Sequence, residues 1–508
     1  MTNHSASRRK FLRTASVVSG SVGAAAAPFA LNLATLGTAV AQTAGPYKAI
    51  VCLFMYGGND ASNMIVRTDA TSFDVYTQMR TQAPESIALL APGTVPNTNA
   101  ARATPARLGG VVPLVPKFTA GVPGSTANSA FTYGLHPSMP EVASLFAANR
   151  LAIIANAGPL VAPMTKAQFQ ANSVPRPRAL GSHNDQQSTW QALGPEGVKV
   201  GWGGHLGDLV ASSNTNAAFT SITVSGNAVF SAGDTVFQYQ VGGNGAVQIS
   251  GISGNLFGSS TASTALRGIV TADNQNLFAN EYASIVKRSI NAQASFQTAF
   301  AASTVTAPTQ YTQPSTGNAQ TNGLAQQLQT VARIIAARGA LGVTRQVFFV
   351  SMGGFDTHSM QNASQADLLA RISHAIGYFD TTLSTLGGVD MRPNVTLFTA
   401  SDFGRTHTSN GDGTDHGWGA HHFVMGGAVR GGDLYGNFPL LSLKNANNNN
   451  FDGSPNQLGN GSLLPETSVD QLGATLARWF GLSDSQLQDV FPNLRNFDAS
   501  RRDLSFMT

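Results

Sequence analysis

Four short apolar runs punctuate a chain that is otherwise polar but sparsely charged. Lys48–Tyr56 (KAIVCLFMY), Leu151–Asn156, Gln346–Val350 and Val395–Thr399 are each bounded by turn residues. Runs of that length and density read as strands buried on both faces of a parallel sheet. Between them the apolar spacing lengthens to that of helices. Pro137–Asn149 carries proline early, as helix starts favour, and leads into the Leu151 run. Ala363–Leu386 places Leu368, Leu369, Ile372, Ile376 and Phe379 on one stripe. Leu266–Ala302 and Asn322–Arg338 are helical in period, and an amphipathic helix falls within Glu466–Leu494. Alternating helices and strands predict an α/β chain built on a doubly wound, mostly parallel sheet flanked by helices. Ala217–Ile252, with short apolar pairs between Ser, Gly and Asn, predicts surface hairpins. We therefore expect one domain over 42–508, in which 211–345 is a variable β and helical insertion.

Composition narrows the setting. Only 11% of residues are charged and the formal net charge is +4. Arg8, Arg9, Lys10 and Arg13 lie within residues 1–41, which hold no acid, so loss of that segment leaves a formally neutral chain. Residues 1–41 resemble a twin-arginine export signal, with SRRKFL at 7–12, a mild Ala/Val/Gly-rich stretch and Ala39-Val40-Ala41 before the cut. Pro28 and Asn32 interrupt that stretch, which makes it a poor membrane span. The expected location is periplasmic or extracellular, with the twin-arginine translocase as export partner and no stable membrane span in the mature chain. No basic patch interleaves with aromatics, so a general nucleic-acid surface is not expected. Cys52 is the single cysteine, which rules out an internal disulfide; it falls inside a strand run, as a small core residue does.

Three of the strand runs end in a carboxylate. Asp60 follows Gly57-Gly58, Asp356 follows Gly353-Gly354, and Asp402 follows its strand directly. Six of the ten histidines lie from His358 to His422, among them His416 and His421. Loops at the carboxyl ends of strands in an open α/β sheet converge on one crevice. These acids and imidazoles can therefore meet as a metal site, although any one aspartate alone reads equally as turn chemistry. Arg405 offers a planar donor to a phosphate or sulfate, or an ion pair to a neighbouring acid. Ser182, with His183 and Asp185 beside it, stands where a helix begins. Its hydroxyl can serve as a nucleophile facing a site or as an N-cap paired with Asp185. No Gly-x-Ser-x-Gly elbow follows a strand, which argues against a serine hydrolase triad. His136 and His374 read as capping or packing residues.

GGNDASN, GLHPSM, SHNDQQSTWQ, GGFDTH, SDFGRT, NGDGTDHG and VMGGAVRGGDLYG, in that order, resemble the bacterial family known as domain of unknown function 1501. That family resembles a divergent branch of the alkaline phosphatase, sulfatase and phosphoglycerate mutase superfamily. The resemblance implies an alkaline-phosphatase-like fold and an exported metal-dependent hydrolase of phosphate or sulfate esters, acting on an anionic small molecule or an envelope ester. A non-enzymatic metal-binding or envelope-assembly protein on the same fold is the alternative. By resemblance Asp60 and Asp402 would hold one divalent ion, and Asp356, His358 and His416 another, with His421 in reserve. Zinc suits this mixed donor set first, with manganese or iron as alternatives. Ser182 and His183 would be catalytic, and Arg405 would hold the anion. Two departures stand out. The superfamily often has Asp-His where this chain has Asp402-Phe403, and Cys52 lacks the Cys-x-Pro-x-Arg setting of cysteine-derived sulfatase nucleophiles.

Overall fold

Side chains of the strand Lys48–Met55 (β1) alternate between two cores. Ala49, Val51, Leu53 and Met55 pack into one, Ile50, Cys52 and Phe54 into the other. A strand buried on both faces needs helices on both faces, and that sets the architecture. The computed structural model describes residues 46–119, 128–247, 249–252 and 254–508; the export segment read over 1–41 lies outside them.

The other central strands are Leu151–Gly158 (β2), Ser221–Thr223 (β3), Arg345–Met352 (β4), Val395–Ser401 (β5) and Ala420–Met425 (β6). β1 lies parallel to β4 on one side and to β5 on the other, with Ile50 opposite both Val347 and Thr396. β3 extends the sheet beyond β4, again in parallel. On the far side β6 runs antiparallel between β5 and β2. The reversal follows from chain connectivity. No crossover helix separates β5 from β6, only a hairpin of Arg405–Ser409 with Thr414–His416, and parallel pairing requires a crossover. Short strands at both margins bring the described sheet to ten strands.

Helices Pro140–Ala147 (α1), His183–Ala192 (α2), Trp202–Val210 (α3), Gly323–Ala336 (α4), Gln361–Leu383 (α5) and Val469–Phe480 (α6) clothe the sheet. α1, α4 and α5 pack on one face through Phe146, Leu328 and Ile372. Residues of α2, α3 and α6 pack on the other through Trp190, Leu206 and Leu476. The doubly wound, mostly parallel α/β class expected from the sequence is the observed one. Two local expectations change. Leu266–Ala302 divides into Ser260–Thr271 and Leu277–Ala302, because the Asn276 side chain accepts from the amides of Phe278 and Ala279 and starts a new helix. Within Ala217–Ile252, β3 is a buried strand of the main sheet, and among the described residues only Tyr239–Gly242 with Gly245–Ala246 forms a hairpin. Among the described residues no helix is long and apolar enough to cross a membrane.

Candidate metal centre

β1, β4 and β5 run side by side in the same direction, so their carboxyl ends open onto one place. After β1, Gly57 and Gly58 hold φ of +114° and +84°. A Cβ on Gly57 would fall 2.5 Å from the Asp356 amide nitrogen, and one on Gly58 would fall 2.5 Å from the Phe403 ring. Glycine at both positions lets the loops of three strands close on each other.

Asp402, directly after β5, is fully buried. Its Oδ2 accepts from His183 Nδ1 at 2.7 Å, from Gln187 Nε2 at 2.9 Å and from the Gly57 amide at 3.1 Å. Its Oδ1 has no hydrogen-bond partner among the described residues. Burial pushes the Asp402 carboxyl up, against the lowering pull of the Gln187 and His183 bonds. Since a carboxylate oxygen accepts, the His183 proton sits on Nδ1. His183 Nε2 then turns its lone pair toward Asp356 Oδ2, 3.4 Å away.

His416 is fixed in the same way. Its Nδ1 lies 2.7 Å from the Gly181 carbonyl oxygen, which can only accept, so Nε2 is left bare. That nitrogen is 3.2 Å from Asp356 Oδ1 and 3.1 Å from His358 Nε2. His358 stands between two acids, with Nδ1 3.2 Å from Asp415 Oδ1 and Nε2 3.0 Å from Asp356 Oδ1, and either can accept its proton. Two imidazole lone pairs, those of His183 and His416, thus converge on one carboxylate, with His358 beside them. Such a cluster of electron pairs calls for a cation among them. Donor atoms of His183, Asp356 and His416 all lie within 4.8 Å of one another, a mixed N/O set that suits zinc, manganese or iron.

Arg405 supplies part of the positive charge. It is buried, donates from Nη1 to Asp356 Oδ1 at 2.5 Å, and donates from Nη2 to the Thr414 carbonyl. Burial pushes the Asp356 carboxyl up, but the Arg405 bond and charge, with His358 and His183 nearby, hold it below its ordinary value. Of the two roles the sequence leaves open for Arg405, this is the ion pair with a neighbouring acid, and it leaves the guanidinium little freedom to clamp a substrate anion.

Other candidates are placed differently from their sequence-based roles. The Asp60 carboxylate is consumed by Arg80, at 2.5 and 3.0 Å, by Gln361 Nε2 at 2.5 Å and by the Ser62 amide at 3.1 Å. Those bonds leave no outward-facing oxygen for an ion shared with Asp402. Asp402 itself stands behind His183 and orients it. His421, buried on β6, accepts the Asn156 amide at Nδ1 and stacks on Phe438 at 4.2 Å; its proton therefore sits on Nε2, and it is not poised as a reserve ligand. Ser182 caps α2, accepting the Asp185 amide and donating to Asp185 Oδ2 at 2.9 Å. Phe403, where an imidazole was expected, packs its ring 4.9 Å from His183 and 4.6 Å from His416. The imidazole comes instead from α2.

Sequence reasoning missed Gln187, Asp415 and Arg80. Gln187 was within reach of it, since it sits one helical turn after His183 and shares its face. Arg80 and Asp415 carried no such signal.

A family model described as a protein of unknown function, DUF1501, matches residues 47–491. The chain belongs to the DUF1501 family. No curated protein matches it. Among solved structures it is similar to the PsFucS1 sulfatase from Pseudoalteromonas sp., at 8% identity over 89% of this chain and 71% of that one, with a TM-score of 0.30. It is also similar to Ps i-CgsB in complex with k-i-k-neocarrahexaose, at 8% identity over 89% and 77% of the two chains, with a TM-score of 0.33. Likeness this loose carries no argument about the reaction of this family member.

Proposed function

We propose that this DUF1501 protein is an exported, metal-dependent hydrolase of phosphate or sulfate esters, with one ion held by His183, Asp356 and His416. The observation that supports it most is the pinning of Nδ1 on both His183 and His416, which turns two bare nitrogens onto one carboxylate. The orphaned, buried Oδ1 of Asp402 fits a site built around a positive charge. A divalent ion there would polarise a phosphoryl or sulfuryl oxygen and lower the pKa of a coordinated water.

The remaining work falls to the chain. Water adds its oxygen to phosphorus or sulfur and the bond to the alcohol oxygen breaks. His358, between Asp415 and Asp356, takes the proton from that water and returns it to the departing alkoxide. Arg405 keeps Asp356 ionised. Ser182 is committed to capping, so water rather than serine is the nucleophile. Export through the twin-arginine route, and a periplasmic or extracellular location, belong to the same proposal.

The alternative is a protein that binds metal on this fold without turnover. It draws on the engagement of both Ser182 and Arg405 in internal contacts. Elemental mass spectrometry of the purified chain and of Asp356→Ala, followed by assays with 4-nitrophenyl phosphate and 4-nitrophenyl sulfate, separates the two. Stoichiometric metal that is lost in the variant, together with turnover, is expected. Metal without turnover of any ester moves the assignment to the binding protein, and metal retained in Asp356→Ala removes the site.

A further inference from the structure

The helix Leu277–Ala302 carries an apolar stripe that is covered along only part of its length. Phe278, Tyr282, Ile285, Ser289, Ala292 and Phe296 follow one another at alternating steps of four and three residues. That spacing is the seam of a coiled coil. At its far end the seam is closed within the chain, where Phe296 is buried against the rings of Phe219 and Tyr239 at 5.7 and 5.3 Å. At the near end it lies open, with Phe278 85%, Tyr282 61% and Ile285 48% exposed. The other sides of this half are ordinary: Ala283 and Val286 are buried, and Asn280, Ser284, Lys287 and Asn291 make a polar side.

Charge and size indicate what the open seam fits. Glu281 and Arg288 lie one heptad apart on the same flank of the seam and bond each other at 3.0 Å. In a parallel pair of these helices that flank would meet Val286 and Gln293, which carry no charge. In an antiparallel pair the flank meets its own copy, so that Glu281 of each helix lies beside Arg288 of the other, twice over. The same register sets Phe278 opposite Ser289 and Tyr282 opposite Ile285, bulky side chains against smaller ones. Ser289, Ile290 and Gln293 also line a groove of about 450 Å³ shared with Phe237 and Val247, which has room for a phenyl ring. A membrane surface is a poorer fit. An interfacial helix sets several Lys and Arg on its polar side for lipid headgroups, whereas that side here holds one cation, Lys287, already bonded to Asp273 at 2.6 Å.

We propose that a second copy of this chain covers the seam, through a two-fold antiparallel pairing of the two Leu277–Ala302 helices. Each copy places its Phe278 in the groove of the other. Sedimentation velocity of the full chain over the micromolar range should give twice the chain mass. Phe278→Glu and Ile285→Asp, both at exposed helix positions, should leave a monomer at the same concentrations, with circular dichroism reporting that each is folded. Glu281→Arg should weaken the dimer about tenfold. Combining Glu281→Arg with Arg288→Glu should restore it, which neither a parallel pairing nor a dimer through another surface would do. A wild-type monomer throughout the range overturns the proposal, as does a dimer that Ile285→Asp leaves intact or that the exchanged charges fail to restore. A monomer that cosediments with phosphatidylglycerol vesicles, and no longer does so as Phe278→Glu, gives the seam to a membrane instead.

Discussion

Asp402 grips Nδ1 of His183 at 2.7 Å and thereby turns the other imidazole nitrogen toward Asp356. The aspartate orients a ligand instead of being one. Partners of this kind typically change metal affinity about 10–100-fold when removed. Asp402→Asn should therefore weaken metal binding by that order, measured by competition with a chromogenic chelator. Asp356→Ala should abolish binding in the same assay. Equal and complete loss in both would make Asp402 a direct ligand.

Asp60 and Arg80 form a buried ion pair with both side chains almost wholly out of water. Removing one partner leaves a buried charge uncompensated, at a cost of about 3–5 kcal/mol. Asp60→Ala should lower the midpoint of denaturant unfolding accordingly and leave the metal content of the folded fraction unchanged. Metal lost with stability intact would restore Asp60 to the ligand set.

For Ser182 the expected effect is that of a lost helix cap. Ser182→Ala should cost about 0.5–2 kcal/mol of stability and retain ester turnover within a fewfold. Turnover abolished in a folded, metal-loaded variant would identify Ser182 as the nucleophile.

Asp470, in the first turn of α6, is buried, and that burial pushes its carboxyl up to about 7 against the bonds from Asn493. Its ordinary value is 3.8. Between those values the folded chain keeps a proton that the unfolded chain has released. The stability from this group is therefore complete below about pH 4 and is lost as the pH rises to 7. Asp470→Asn should remove that loss. Its Tm relative to wild type should climb from pH 4 to pH 7 and then level off; a constant difference across the range would count against the shift.

The order of strands and helices was legible because strands buried on both faces leave unbroken apolar runs, as β1, β4 and β5 do. β3 was not, since three residues with two hydroxyls carry no such run. In the site, strand-end position and histidine density point to Asp356 and His416, while His358, expected as a third ligand, stands outside the donor set that His183 completes. Asp60 misled because the Gly-Gly-x-Asp pattern reports a tight loop and says nothing of Arg80, whose arrival depends on a helix 20 residues on. In the sequence His183 stands out only as the neighbour of Ser182; that it faces Asp356 depends on how α2 is laid across the end of β5, which is tertiary packing.

The three donor groups come from the start of α2, the loop after β4 and the hairpin before β6, segments remote from one another in the chain. An ion among them would be a removable cross-link, adding to the hydrogen bond from His416 to Gly181 and the ion pair of Arg405 with Asp356 that already tie these stretches. Such a link draws on the same loop-closure entropy that makes a disulfide effective, in a chain whose lone cysteine can form none. Occupancy would then be written into mechanical and proteolytic resistance as well as chemistry. A chain emptied of its ion would keep the sheet but loosen at the rim, where the start of α2 lies over the strand ends.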